Sequence, residues 1–222
     1  MNISVIIPTF NEEQAIAETL RDLTENHSPD EVIVADGGST DHTCEIASTF
    51  ARVIQTPKGR ACQLNEGTRQ ASGDIFLFLH ADTRLPAGGL ETVRDLLSKG
   101  KAEAGRFRMK FDQKDFFLKL YASYTRFHFF SYGDQAFFVK RELFRRMGGF
   151  SETVPFEDID FYKRLRKETR PVIIEKHVTT SARRFLKVGK LRQKWINLFL
   201  VSLYHMGFNV LPLKEKVYED VR

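Results

Sequence analysis

Two short apolar runs near the N-terminus each end in a polar cluster, and a helix-like segment follows each cluster. The runs are residues 3–7 and 32–35, and the clusters are Pro8-Thr9-Phe10-Asn11-Glu12 and Asp36-Gly37-Gly38-Ser39-Thr40-Asp41. Apolar runs of this length, bounded by polar residues, predict buried strands. In an open α/β sheet, loops at the carboxyl ends of parallel strands form the ligand site, and helix N-termini there attract phosphate. The pattern therefore predicts a cleft for a phosphorylated ligand.

The rest of the chain continues this alternation of helix-like and strand-like segments. Residues 14–24 place Ile16, Leu20 and Leu23 at helical spacing after Asn11, a candidate N-cap. Further strand-like runs lie at residues 53–54, 75–79, 107–111 and 136–139, with a helix-like segment at residues 59–70. The alternation predicts an α/β fold with helices on both faces of a mostly parallel sheet, although the directions of the last two strands stay open.

The length and the charge narrow the class of protein. A chain of 222 residues fits one domain, with a nucleotide-binding half at about 1–104 and a more aromatic and basic half at about 105–222. The net charge of +5 suits an anionic partner, either a nucleotide, a nucleic acid or an acidic membrane, or simply a mildly basic soluble protein. Cys44 and Cys62 lack disulfide or metal spacing, and no signal peptide pattern is visible, so we expect a cytoplasmic location.

Five motifs stand in a recognisable order between Ser4 and about Leu165. They are Pro8-Thr9-Phe10-Asn11-Glu12, Asp36-Gly37-Gly38-Ser39-Thr40-Asp41, His80-Ala81-Asp82, Gly148-Gly149-Phe150 and Glu157-Asp158. Together they resemble the motifs of family 2 glycosyltransferases. The resemblance implies a GT-A fold, which is a Rossmann-like three-layer α/β/α sandwich, and transfer of a sugar from a nucleotide-diphosphate donor. Residues 79–83 and 180–184 resemble the small bacterial subgroup termed transferase 2, associated with radical-SAM and selenodomain proteins.

Such a reaction needs a nucleotide pocket. Thr9, Glu12 and Asp36 are candidates to accept hydrogen bonds from the base or the ribose, and the resemblance implies the same role for Asp36. The other donor-site candidates are Pro8, Asn11, Gly38, Arg60 and Ala81, with Arg60 able to reach the base or a phosphate. The alternatives are that Asp36 and Asp41 only cap turns and helices and that Arg60 is a solvated surface residue.

The diphosphate of the donor is usually neutralised by a divalent cation. Asp82 follows the most apolar predicted strand and is the candidate ligand for Mn²⁺ or Mg²⁺. His80 stands where the family's Asp-x-Asp motif usually has its first aspartate, so it is either a ligand, a neighbour of the ligands or a nucleotide contact. His177 is a further candidate ligand, against the alternative of an ordinary packed or surface histidine. The His80 replacement puts the metal dependence in question.

The general base is expected at Glu157-Asp158. Residues 157–167 predict a helix in which Asp158 shares a stripe with Phe161, Tyr162 and Leu165, whereas Glu157 falls on another stripe. A carboxylate at the rim of an apolar face is partly desolvated and is a stronger base than a solvated one. The alternative is that these acids only favour the helix N-terminus electrostatically. With the resemblance, Asp158 is the predicted catalytic base, and attack opposite the leaving group implies inversion.

Two clusters in the second half are candidates for the acceptor side and the diphosphate. Gly133, Asp134 and Gln135 precede a strand and are candidates for sugar or acceptor contacts, or they form only a turn. Arg183 and Arg184 are candidates to close over the diphosphate with forked guanidinium contacts, and Glu157 is placed with this group.

Two aromatic segments raise the question of a membrane. A helix over residues 116–130 would place Phe117, Leu120, Tyr121, Tyr124 and His128 on one face and Phe116, Phe127 and Phe130 on another. Residues 195–204 are apolar almost all round and follow four basic residues, but neither segment has the ~20 apolar residues of a spanning helix. The alternatives are peripheral contact with the inner face of an anionic cell membrane, a hydrophobic acceptor, core packing or a homodimer interface.

We expect an inverting glycosyltransferase that uses a nucleotide-sugar donor, with UDP preferred by resemblance, and an unidentified acceptor hydroxyl for which a lipid-linked molecule is one candidate. We expect no nucleic acid partner. A nucleotidyltransferase is a second hypothesis, but it would need a Gly-rich basic loop after the first strand, and residues 8–12 are not of that type. A non-catalytic nucleotide-binding or membrane-docking module is the third, and His80 is its best argument.

Overall fold

The computed structural model describes residues 1–128, 131, 133–188, 196, 199–204, 206, 208, 210 and 213. Its strands are β1 (Ile3–Thr9), β2 (Glu31–Asp36), β3 (Arg52–Gln55), β4 (Ile75–Phe78), β5 (Thr83–Arg84), β6 (Ala104–Phe111), β7 (Phe138–Lys140) and β8 (Val172–Thr180). Its helices are α1 (Glu13–Asn26), α2 (Thr43–Ser48), α3 (Arg60–Gln70), α4 (Gly89–Ser98), α5 (Phe116–Ser123), α6 (Arg141–Arg146), α7 (Glu157–Glu168) and α8 (Arg183–Val188). Short 3₁₀ turns lie at Tyr124–Arg126 and Gly133–Gln135.

The described strands form one sheet in the order β3-β2-β1-β4-β7-β6-β8-β5. In the first half, β1 is parallel to β2 and β4, and β2 is parallel to β3, which confirms the predicted parallel strands. In the second half, β7 is antiparallel to both β4 and β6, β5 is antiparallel to β8, and β6 is parallel to β8. The sheet is therefore mixed and not parallel throughout. That residues 1–222 form a single domain stays a prediction.

Two hydrophobic layers cover the sheet because successive side chains of a strand point to opposite faces. Ile3, Val5 and Ile7 of β1 belong to the layer that contains residues of α1 and α4. Ile6 belongs to the other layer, which contains residues of α3, α6 and α7. This arrangement confirms the predicted three-layer α/β/α architecture.

The strand directions bring the polar loops to one edge of the sheet. Because β7 is antiparallel to both β4 and β6, the strands β1, β2, β4, β6 and β8 all end at the same edge. The 3₁₀ turn before β7 lies at this edge too, since β7 begins where β4 ends. The sheet therefore gathers the predicted site residues of both halves at its carboxyl edge.

The two aromatic segments differ from the prediction. The first helix ends at Ser123, and its buried residues are Leu118 and Ala122, which lie on neither predicted face. The helix stops there because the following backbone turns, and the Arg106 guanidinium takes the carbonyl oxygens of Thr125 (2.7 Å) and Phe127 (2.9 Å). Phe129 and Phe130 lie outside the described residues.

In the second aromatic segment, residues 199–204 are helical, whereas Trp195 lies outside the described residues. Leu200 is buried against Phe156, which directly precedes α7, and Tyr204 stacks edge-on with Phe156 at 5.5 Å. This part of the segment is therefore core packing, one of the alternatives from the sequence. No helix in the described part of the chain is both long enough and apolar enough to cross a membrane.

Candidate functional site

The loop after β2 folds around the Asp36 carboxylate, which is fully buried. Asp36 Oδ1 accepts hydrogen bonds from the backbone N–H groups of Gly38 (2.9 Å) and Ser39 (2.8 Å). Asp36 Oδ2 accepts from the hydroxyls of Thr9 (3.0 Å) and Ser39 (2.5 Å). Burial alone would raise the pKa of Asp36, but the hydrogen bonds from Ser39 and Thr9 outweigh it and hold the pKa below its ordinary value. Asp36 thus shapes the loop as a carboxylate, and its contact with a nucleotide base stays a prediction.

The two polar loops at the ends of β1 and β2 are bonded to each other. The Asn11 N–H donates to Ser39 Oγ (2.8 Å), and Asn11 Oδ1 accepts from the Thr40 N–H (2.9 Å). Asn11 adopts a left-handed conformation with φ of +55°, as short amide side chains can. The prediction that Asn11 caps α1 is wrong, because its side chain is engaged across the cleft floor and α1 begins after Glu12.

Asp41 serves the helices that follow both loops. Its Oδ2 accepts from the Glu13 N–H of α1 (3.3 Å), and its Oδ1 accepts from the Thr43 N–H of α2 (3.0 Å). These bonds satisfy first-turn amides that have no partner within their own helix. The alternative that Asp41 is a capping residue is therefore confirmed.

Gln63 of α3 joins the two strand ends and was missed in the sequence. Its Nε2 donates to the carbonyl oxygens of Thr9 (2.6 Å) and Ala35 (2.8 Å), and the side chain is buried. A Cβ on Gly37 would lie 3.1 Å from the Gln63 amide, so the loop needs a small residue at this position. The signal was a polar residue inside a helix that must face a sheet.

Arg183 connects the two halves of the site. Its guanidinium forms an ion pair with Glu12, and its Nε lies 3.4 Å from Asp82 Oδ2. Burial alone would lower the pKa of Arg183, but the carboxylates of Glu12 and Asp82 raise it. Asp82 and Arg183 border a pocket of about 180 Å³ between α1 and the end of β8. The structure thus brings Arg183 to the predicted metal ligand.

The residues around Asp82 fit a divalent cation. Glu12 and Asp82 are carboxylates that converge on one positive group, which in this structure is Arg183. Carboxylate oxygens are preferred ligands of Mg²⁺ and Mn²⁺. His80 instead contacts the Arg60 guanidinium through Nε2. His177 lies on β8 opposite Arg108, and burial together with Arg108 and Lys110 lowers its pKa.

A second group of site residues lies across the cleft. The Gly133 N–H donates to Asp158 Oδ2 at 2.8 Å, which ties the turn before β7 to the start of α7. A Cβ on Gly133 would lie 1.7 Å from Arg60 Nη2 and 3.0 Å from His80 Nε2. These side chains, with Pro8, line a gap of about 10 Å³, which holds one water at most. A sugar would therefore need this side of the cleft to open.

Asp134 carries the largest electrostatic perturbation of the site. Some surface of the residue is exposed, but its Oδ1 is buried and makes no hydrogen bond within the described part of the protein. Burial, followed by repulsion from Asp158, raises the pKa of Asp134 to about 7, although Arg60 opposes the shift. A carboxyl group that titrates near neutral pH in a cleft is typical of functional sites. The sequence indicated a sugar contact here but not this shift.

The order of burial at the start of α7 differs from the prediction. Glu157 is buried, with 5% of its surface exposed, whereas Asp158 is half-buried. Glu157 turns inward because its Oε1 lies 3.3 Å from the Arg60 Nε. Both carboxylates therefore belong to the site, and Asp158 is the one that retains exposure to the cleft.

The remaining predicted residues occupy varied positions. Ala81 is buried, and its carbonyl oxygen accepts from the Thr19 hydroxyl (2.8 Å). Gln135 is fully buried beside β6. The Arg184 backbone lies in α8, but its side chain is outside the described part of the chain.

Arg106 was not recognised in the sequence, although it supports the acceptor side. It is fully buried, binds the backbone after α5 and lies 5.4 Å from the Tyr162 ring of α7. Burial lowers its pKa, while Tyr162 opposes this shift. An arginine inside an apolar strand pattern is the only sequence signal of this role.

Comparisons with known proteins agree with this architecture. The model of glycosyl transferase family 2 matches residues 4–185. The chain is 29% identical over 113 residues to GalNAc(5)-diNAcBac-PP-undecaprenol beta-1,3-glucosyltransferase of Campylobacter jejuni, which covers 45% of this chain and 36% of that protein.

Two solved structures have the same fold. S. aureus TarS, solved with UDP-GlcNAc, superimposes with a TM-score of 0.67 at 20% identity, covering 82% of this chain and 58% of that chain. The mannosyltransferase PcManGT of Pyrobaculum calidifontis, solved with GDP-Man and Mn²⁺, gives 0.63 at 27% identity, covering 80% and 56%. The chain thus spans between 36% and 58% of the length of these three proteins. By the extent of the family match and by its GT-A fold, the chain belongs to glycosyl transferase family 2.

Proposed function

We propose that this protein transfers a sugar from a nucleoside-diphosphate donor to an acceptor hydroxyl with inversion at the anomeric carbon. The observation that carries the proposal is the meeting of two unlike groups at one sheet edge. Hydrogen-bonded loops that suit a nucleotide lie on one side, and a carboxylate cluster with Asp158 lies on the other. These are the parts that activation of a hydroxyl and departure of a diphosphate require.

The donor would bind along the loops after β1 and β2. Space for its close approach is open at Gly38, where no atom lies within 4 Å of a built Cβ. Arg60 and Arg183 supply positive charge on either side of the diphosphate position. UDP is the first candidate base by family resemblance, and GDP is the second because the 27% identical mannosyltransferase was solved with GDP-Man.

A divalent metal, Mn²⁺ or Mg²⁺, would be held by Asp82, and by Glu12 once Arg183 has moved. When bound, it supplies charge neutralisation for the leaving diphosphate. Arg183 supplies positive charge to the same region in the present conformation. The chain's own cations at this position are therefore part of the leaving-group site.

Asp158 is the proposed general base. Its Oδ2 is held by the Gly133 N–H, and its Oδ1 accepts from the Ile159 N–H at 2.8 Å, so the carboxylate is oriented at the cleft. It removes the proton of the acceptor hydroxyl as the oxygen attacks the anomeric carbon opposite the diphosphate. Asp134 and Gln135, on the turn next to it, would contact hydroxyls of the sugar.

A lipid-linked acceptor is the first candidate because a relative is named for a PP-undecaprenol acceptor. A location in the cytoplasm, at the inner face of the membrane, would suit such an acceptor. The assignment to the radical-SAM-associated subgroup stays a prediction.

The test separates donor binding from transfer. UDP-GlcNAc, UDP-glucose and GDP-mannose are screened by thermal shift with Mn²⁺, with Mg²⁺ and with EDTA, because a ligand of the folded state raises its melting temperature. Release of UDP or GDP is then measured with a bacterial lipid extract as the source of acceptors. We expect Asp158→Asn to keep donor binding and to lower transfer by about 10²- to 10⁴-fold.

Asp160→Asn is the matched control on the same helix, because Asp160 is bonded to Arg164 at 2.7 Å and takes no part in the proposed reaction. It should leave the transfer rate nearly unchanged. Unchanged transfer in Asp158→Asn would reject this base. Failure of every nucleotide to stabilise the protein would reject the donor site and favour a different function.

A further inference from the structure

An exposed apolar surface lies on α5 and the turn that follows it. It consists of Phe116 (74% exposed), Phe117 (53%), Leu120 (38%), Tyr124 (38%) and Phe127 (48%), and we name it the α5 apolar face. Phe116, Leu120 and Tyr124 are four residues apart, so they lie along one side of the helix. The Phe116 and Phe117 rings contact each other edge-on at 5.8 Å. Several aromatic residues exposed together on one patch indicate an interaction site.

The exposure of this face is fixed by contacts on the other side of the helix. Leu118 is buried with Ala182 and Phe185, and Tyr121 packs edge-on against Phe185 at 5.5 Å. The Asp115 carboxylate caps the helix by accepting from the N–H groups of Phe117 (3.0 Å) and Leu118 (3.1 Å). The helix therefore cannot turn its aromatic residues inward without losing this packing.

Positive charge surrounds the face. Lys114, Lys119 and Arg126 are exposed, and the Arg126 guanidinium lies 4.7 Å from the centre of the Phe127 ring. Aromatic residues bordered by lysine and arginine suit the headgroup region of an anionic bilayer, where rings enter the interface and cations meet phosphates. A two-fold contact with a second copy would instead bring these like charges together. Charge complementarity therefore favours lipid as the occupant.

The face also lies beside the cleft. β6 ends at the carboxyl edge of the sheet, and Asp112, just after it, accepts from the Ala182 N–H at 2.9 Å. Ala182 precedes Arg183, whose guanidinium contacts Asp82. On the other side, Arg106 holds the backbone of Thr125 and Phe127 and lies over Tyr162 of α7. A surface that holds α5 would thus orient the entrance of the cleft.

We propose that the α5 apolar face docks the protein on the surface of an anionic phospholipid bilayer, with Phe116 and Phe117 entering the interface and Lys119 and Arg126 meeting the headgroups. This assigns the contact to α5 and not to residues 199–204. Docking needs neither donor nor acceptor, so it is tested apart from sugar transfer.

Vesicle flotation tests the docking with vesicles of phosphatidylcholine alone and of phosphatidylcholine with phosphatidylglycerol. The wild-type protein should bind only the anionic vesicles and should be released by added salt. Phe116→Ser with Phe117→Ser should lower binding at least about tenfold, because two buried aromatic rings are removed from the interface. Lys119→Glu should weaken binding by a smaller factor.

The controls are matched in exposure and charge. Phe199→Ser removes a phenylalanine that is 58% exposed on the C-terminal helical segment, and Lys101→Glu reverses an exposed lysine before β6, at the opposite end of that strand from α5. Both should bind vesicles like the wild type. Circular dichroism checks that each variant is folded.

Two results would overturn the proposal. One is loss of binding in Phe199→Ser with retained binding in the Phe116/Phe117 variant, which would move the contact to the C-terminal segment. The other is absence of vesicle binding by the wild type. A dimer in sedimentation velocity that the Phe116/Phe117 variant converts to a monomer would then identify the face as an interface between copies.

Discussion

Asp36 on the donor side of the cleft and Asp134 on the acceptor side are both carboxyl groups with buried oxygens, but their pKa values shift in opposite directions. Asp36 has hydrogen-bond donors at both oxygens, and its pKa is lowered. Asp134 has a buried Oδ1 that makes no hydrogen bond within the described residues, and it faces repulsion from Asp158, so its pKa is raised to about 7.

The difference shows that burial alone does not decide the charge state of a carboxyl group. Donors decide it, because a buried carboxylate with several hydrogen bonds loses little solvation on folding. The donor side is therefore built as a stable framework. The acceptor side keeps a group that is destabilised without a ligand, as reactive sites commonly do.

Removal of the Asp36 carboxylate should have the largest effect on stability. Asp36→Ala leaves the buried N–H groups of Gly38 and Ser39 without their acceptor, and we expect a loss of about 3 to 5 kcal/mol in the free energy of unfolding. Urea denaturation at pH 7 measures it. Because the pKa of Asp36 is lowered in the folded state, this contribution is present at neutral pH and is lost as the pH falls through the folded-state pKa.

Asp95→Ala is the control for this variant, because Asp95 is an exposed residue paired with Lys99 one helical turn away. It should change the free energy of unfolding by less than about 0.5 kcal/mol. A comparable loss in both variants would show that the donor-side loop is no more stabilising than a surface ion pair.

A side chain at Gly133 should disturb the acceptor side. Gly133→Ala would place its Cβ 1.7 Å from Arg60 Nη2, so the arginine must leave His80. We expect a loss of about 1 to 3 kcal/mol in stability, together with reduced transfer. The double variant Gly133→Ala/Arg60→Ala should be more stable than the sum of the single variants predicts, because the clash is absent. Strict additivity would mean that Gly133 does not meet Arg60.

Asp134→Asn should stabilise the protein, opposite in sign to Asp36→Ala. The folded protein holds the Asp134 proton more tightly than the unfolded chain, so this group lowers the free energy of unfolding as the pH rises from about 4 to about 7. At pH 8 the asparagine variant should be more stable by roughly 1 to 3 kcal/mol, and at pH 4 the difference should disappear. Thermal denaturation across this pH range gives the measurement. A variant less stable than the wild type at pH 8 would contradict the raised pKa.

Loss of the Arg183 guanidinium should have the smallest effect. We expect Arg183→Gln to weaken nucleotide-diphosphate binding by about three- to tenfold, with a weaker dependence on salt, because one charge-assisted contact is removed. Isothermal titration measures the affinity. Arg84→Gln is the control, since Arg84 borders the same pocket and is similarly exposed, 40% against 42%. Equal effects of the two variants would indicate only a general charge effect.

Much of the fold could be predicted from the sequence because it depends on neighbouring residues. Apolar runs that end in polar clusters located β1, β2 and β4, and helical spacing located α1 and α7. The antiparallel direction of β7 could not be predicted, because strand direction depends on how the chain returns to the sheet. Helix α5 ended early because Arg106, far from it in sequence, binds the backbone that follows.

The sequence by itself determined the family, the strand-end loops and the residue types of the site, since local patterns and motif order are properties of neighbouring residues. The tertiary structure alone decided which of these residues meet. Arg183 reaches Glu12 across 171 positions, and Gln63 joins two strand ends that are distant from it in the chain. It also decided that Asp36 and Asp134 titrate oppositely. Burial and hydrogen bonding are set by packing between distant segments, and no local pattern records them.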